Sequence, residues 1–164
     1  MNQVFLLRVP EFVEDLRAIH HDWPFDLIVH DAAFLGGLFV KDQLCIKTVA
    51  IGVMPLGESD DHVPAAGMGK QPATTLAGRW IQHLMRHGIQ VVMFKPCTDL
   101  YNELRLQYGM APNTEFVIDA FVRTPDLYLQ SGIPGFEYRR KRISPNVRFV
   151  GPLIPYSAAK KSAI

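Results

Sequence analysis

A chain of 164 residues fits one domain around a single core, and 48% hydrophobic against 20% charged residues is too apolar for disorder. With 17 Lys and Arg against 16 Asp and Glu the net charge is +1, so no overall field recruits nucleic acid. Two cysteines, Cys45 and Cys97, without CxxC or Cys/His spacing, argue against a disulfide framework or a zinc site and point to a reducing cytoplasm.

Met1–Val9 carries no basic leader, long apolar region or small-residue cleavage site, so no signal peptide is expected. Pro10 followed by Phe12, Val13, Leu16 and Ile19 predicts a helix over 10–21, with proline in its tolerated first turn. Phe25 to His30 is a short apolar run bounded by Pro24 and Asp31, the pattern of a strand buried on both faces. Leu35, Leu38, Phe39 and Leu44 restore helical spacing over 33–44, and Lys47–Val53 repeats the strand pattern. Strand, helix and strand in that order predict a βαβ unit and a parallel sheet. Pro24, Asp31, Lys41 and Asp42 break the most apolar region short of membrane-spanning length, so no span is expected.

Residues 55–73 collect glycine, proline, Ser59, Asp60, Asp61 and His62 and are expected to form a long loop with a functional task. Helical spacing returns from Thr74 to Tyr108, with Pro96 dividing two helices. After a polar connector, Asp126–Gln130 and Val147–Val150 read as two more strands, each closed by a glycine. The expectation is a doubly wound α/β domain of about four parallel strands with flanking helices, its ligand beyond the carboxyl ends of the strands.

Asp31, between strand and helix, lies where such a site forms. It reads either as a helix cap or as a carboxylate that orients a histidine base. His30 should point to the opposite face, and His20 and His21 close a helix at the surface. His83 and His87 have chelating spacing but no Glu or Cys to complete it, so no metal is expected. Gly67–Lys70 fails as a phosphate loop, since Pro64 and Gln71 occupy positions that need glycine and a hydroxyl. Gly36–Gly37 lacks the dinucleotide fingerprint, and neither Ser59 nor Cys97 sits in a nucleophile motif. Trp80 among Leu76, Leu84, Met85, Arg79 and Arg86 reads as core packing, with an apolar pocket wall or membrane contact as alternatives, and Arg139–Arg142 as a solvated cationic loop.

Phe25–Asp31, Met54-Pro55-Leu56, and Gly135-Phe136-Glu137-Tyr138 leading to Pro145–Pro155 together resemble the bacterial macrolide-type UDP-glycosyltransferases of family 1 over nearly the whole chain. The resemblance implies a partial Rossmann-like N-terminal domain of a GT-B fold, acceptor-binding, over 1–155, with a linker or tail at 156–164. It implies that Asp31 matches the partner of a catalytic histidine carried on a segment outside this sequence. Acceptor contacts are implied for Phe34, Met54, Pro55, Leu56, His62 and Trp80. The family transfers a sugar from a UDP-sugar to a hydroxyl of a lipophilic small molecule; the donor would need a C-terminal domain, so no cofactor is expected on this chain. Activity of the chain by itself is not expected. A denser basic run at Arg139 departs from the family's usual proline. Alternatives are a non-catalytic small-molecule binding module or an assembly subunit. An uncovered first strand would also favour self-association or pairing with a complementary donor-domain chain.

Overall fold

Four parallel strands, β1 (Leu27–Asp31), β2 (Lys47–Gly52), β3 (Leu127–Gln130) and β4 (Val147–Phe149), form one sheet in the order β1-β2-β3-β4. They belong to a computed structural model that describes residues 5–65 and 68–153. The linker expected at 156–164, the end of the Pro145–Pro155 motif and Gly67 lie outside the described residues. The strand order runs in one direction, so the reversal that defines a doubly wound sheet does not occur among the described strands.

Helix α1 (Val9–Asp22) carries Pro10 in its first turn and buries Val9, Val13 and Leu16. It packs on α2 (Gly36–Leu44), which crosses over from β1 to β2. Gly36 and Gly37 are spacing residues. A Cβ at Gly36 would lie 2.6 Å from the Phe12 Cβ of α1, and one at Gly37 would lie 2.7 Å from the His30 ring of β1. Helix α2 ends at Cys45, which adopts the left-handed conformation (φ 53°) that lets the Ile46 amide bond back to the Lys41 carbonyl.

Helix α3 (Leu76–Gly88), capped by the Thr75 hydroxyl, runs into a widened turn at Ile89–Met93. The break falls at Phe94, and Pro96 occupies the first turn of α4 (Lys95–Gln107), where its missing N–H costs nothing. The connector expected after α4 contains one more short helix, α5 (Val117–Arg123), whose seven residues are too few to show a period in the sequence. The main core joins α1, α2, α4 and α5 around Leu38, Phe39, Tyr101, Leu104 and Val117, with the Phe39 and Tyr101 rings packed edge to face.

The sheet covers only one of its faces well. Thr48, Ala50, Tyr128, Gln130 and Val147 point to the helices and are buried. Leu27 and Val29, on the opposite face, are 51% and 56% exposed, and their neighbours Val49, Ile51, Leu127 and Leu129 are half-buried. The strand at Phe25–His30, expected to be buried on both faces, therefore alternates, as a one-sided strand does.

Candidate functional site

Beyond the carboxyl ends of β1 and β2 lies an apolar pocket of about 170 Å³. Phe5, Leu35, Val53, Met54, Ile118 and Phe121 supply its apolar walls, with α5 as one side. Among the described residues that line it, two have polar side chains, Asp31 and Tyr128.

Asp31 ends β1. One of its carboxylate oxygens accepts the Ala33 amide at 2.7 Å, and its carbonyl accepts the Phe34 amide at 2.9 Å, a tight turn that comes before the helix. The helix itself starts later than expected, at Gly36, with Leu35 in the cap position and no side-chain cap. Asp31 thus caps the turn, not α2, and among the described residues only one of its carboxylate oxygens is engaged. No histidine among the described residues bonds to that carboxylate. His30 turns to the buried face, where Nδ1 lies 2.8 Å from the Asp31 carbonyl and Nε2, without a partner, faces Gly37. Burial lowers the His30 pKa, outweighing the Asp31 carbonyl and carboxylate that favour its charged form.

Tyr128 stands in the middle of β3, and its hydroxyl reaches Gly52. A Cβ there would lie 2.4 Å from the phenolic oxygen, so only glycine leaves room for it. Burial, with the charges of Asp31 and then Glu137 added, pushes the Tyr128 hydroxyl up to about 12, so it remains a donor.

The segment bearing Met54, Pro55 and Leu56 is clamped from below. The Gln130 amide donates to the Met54 carbonyl at 2.8 Å, and Glu137 accepts the Leu56 amide at 3.0 Å. Arg140 donates to the carbonyls of Leu56 and Glu58. The cationic run at 139–142, expected as a solvated loop, is thus partly a clasp: Arg140 is half-buried, and the amides of Lys141 and Arg142 donate to the buried Asp60. Glu58, also buried, accepts from the Arg123 side chain at 2.8 Å and from the Ser144 amide at 3.1 Å, and Asp119 accepts the Ser59 amide at 2.7 Å. Burial raises the Asp119 pKa, opposed by its Ser59 bonds and by Arg123. The loop after β2 has no regular structure among its described residues, yet it is fixed to α5 and to the stretch before β4.

Of the residues singled out in the sequence, Asp31, Met54 and Pro55 meet in the pocket. Leu56 lies buried beside it, packed with Tyr128 and Val122. Phe34 stacks on Phe12 of α1 at 4.7 Å instead of lining the pocket. His62 is exposed in the loop, and Trp80 is 65% exposed on the outer face of α3, not packed in a core. Sequence reasoning missed Tyr128, which alternation along β3 places on the covered face, and the α5 residues Ile118 and Phe121. No group of three His, Cys, Asp or Glu able to hold a metal ion occurs among the described residues. No helix among them is long and apolar enough to cross a membrane.

No protein-family model matches the sequence. The chain is similar to the 4'-demethylrebeccamycin synthase of Lentzea aerocolonigenes, with 28% identity over 151 residues, which are 92% of this chain and 36% of that protein. The chain therefore spans little more than a third of the length of this curated relative.

Proposed function

We propose that this chain is the acceptor-binding part of a glycosyltransferase with a GT-B architecture, which moves a sugar from a UDP-sugar to a hydroxyl of a lipophilic small molecule. The observation that carries the reading is the apolar pocket at the carboxyl ends of parallel strands with the Asp31 carboxylate at its edge. Strand-end pockets are where open α/β sheets bind ligands. The similarity to the 4'-demethylrebeccamycin synthase supports a reaction on a small organic molecule, the kind of product that its name states.

In this reading Asp31 orients a histidine base that residues 1–164 do not bring to it, and donor binding falls to a domain outside residues 1–164. A carboxylate in that position fixes one imidazole tautomer and stabilises the cation formed when the base takes the acceptor's proton. The 1–164 chain then binds acceptors and transfers nothing unaided. Incubation with a panel of UDP-sugars and phenolic or macrolide acceptors, read by mass spectrometry, tests this. Acceptor binding without glycoside is the expected result; turnover by the isolated chain would overturn the division of labour, and absence of acceptor binding would overturn the assignment of the pocket.

A further inference from the structure

Helix α3 presents its apolar side to solvent. Leu76 is 84% exposed and Trp80 65%, with Ile81 and Leu84 exposed beside them, whereas the buried residues of the helix are the polar Gln82 and Arg86. A surface helix of a soluble domain has the reverse arrangement. Val92 and Met93, in the widened turn that follows, are exposed too. The charges around this stripe have one sign. Residues 62–98 contain no Asp or Glu, although the chain has 16. Arg79, His83 and His87 recur every four residues and form an exposed row along one side of Leu76, Trp80 and Leu84. On the other side Lys70 reaches α3, its ammonium 3.9 Å from the Met85 sulfur. Among the described residues neither Arg79 nor Lys70 enters an ion pair.

We propose that α3 docks on the surface of an anionic phospholipid membrane, lying in its plane with Leu76, Trp80 and Leu84 among the upper acyl chains and Arg79 and Lys70 at the headgroups. An apolar face between cationic flanks is the pattern that holds a helix at a bilayer surface. The indole suits that depth, with apolar rings and a polar N–H, and each Lys or Arg adds attraction to anionic headgroups. A second copy of this chain fits the face less well. Pairing two such faces would bring like-charged rows together, with no carboxylate between residues 62 and 98 to offset them. No α3 residue lines the strand-end pocket, so the docking surface and the acceptor site stand or fall separately.

Flotation of the 164-residue chain with phosphatidylcholine vesicles, pure or mixed equally with phosphatidylglycerol, tests it. The mixed vesicles should bind the chain about tenfold more tightly than the neutral ones. Trp80→Ser should weaken binding to both at least about fivefold. Lys70→Glu combined with Arg79→Glu should abolish the preference for the mixed vesicles. Two controls should change neither affinity: Trp23→Ser, at an exposed tryptophan that ends α1, and Val29→Ser, on the open face of the sheet. Circular dichroism melts of each variant confirm that it folds. Equal binding to both vesicle types would overturn the assignment of the cationic flanks. Binding that is lost in Val29→Ser and kept in Trp80→Ser would place the lipid on the sheet and overturn the proposal. Absence of binding to either vesicle would overturn it too, and a fall in sedimenting mass on Trp80→Ser would then identify the face as a contact between copies.

Discussion

One Asp31 oxygen holds the turn and the other is assigned to the site by the proposed function, and substitution separates the two. Asparagine retains an oxygen for the Ala33 amide, so Asp31→Asn should unfold at the same urea concentration as the unaltered chain. Asp31→Ala loses the turn bond and should cost about 1 kcal/mol. Asp126 offers a second test at this scale. Burial alone would raise its pKa, but the Thr48 amide and the ammonium groups of Lys41 and Lys47 outweigh it and hold it at about 2. The folded value lies below the ordinary 3.8, so the stabilisation is complete above about pH 4 and fades as pH falls toward 2. Asp126→Asn should therefore be less stable by about 2 kcal/mol at pH 7, with the gap closing in urea melts between pH 4 and pH 2.

Helix α3 is turned inside out. Gln82 and Arg86 are buried, the first accepting the Ala73 amide and the second donating to the Val63 carbonyl at 2.9 Å, while Leu76, Trp80 and Leu84, one helical repeat apart, face outward. Trp80→Ser should thus change stability by less than about 0.5 kcal/mol, and Arg86→Ala should cost about 2 kcal/mol, both by chemical denaturation. The amphipathic spacing of α3 was plain in the sequence, but which stripe faces inward was not. Periodicity reports that a helix has two faces; it does not report that backbone amides and carbonyls of a neighbouring loop will take the polar one. The same limit explains the loop after β2. Its composition announced irregular backbone, yet the clasp by Glu58, Asp60, Asp119 and Arg140 joins residues distant in sequence that no local pattern connects. The strands, their parallel pairing and Asp31 at a strand end were legible because each rests on neighbours in sequence. Tyr128 was not, because its value depends on Gly52 across the sheet.

For the molecule as a whole, the unevenly covered sheet sets its behaviour in solution. Val29, Val49 and Leu127 lie side by side across three strands, with Ile51 and Leu129 next to them, so the accessible face is a continuous apolar row beside β1, an edge strand among the described residues. Parallel sheets are normally covered on both faces, and apolar edges recruit further strands. The isolated chain is expected to self-associate through this face. Sedimentation velocity should show a concentration-dependent rise in mass, and Val29→Lys should lower the association constant at least about tenfold by placing a charge in the row. A mass that stays monomeric across concentrations would show that the face tolerates water.

The strand order also governs the timing of folding. β1, α2 and β2 are contiguous and can pair as soon as they leave the ribosome, but the next partner of β2 is β3, which begins at Leu127. Translation of the interval takes roughly 4 to 15 s at about 5–20 residues per second. Throughout it β2 lacks its β3 partner, and the closure that ends the wait spans a long loop. A half-sheet held open for that interval is expected to need protection, so co-expression of a holdase chaperone should raise the yield of folded chain more than a stabilising substitution does.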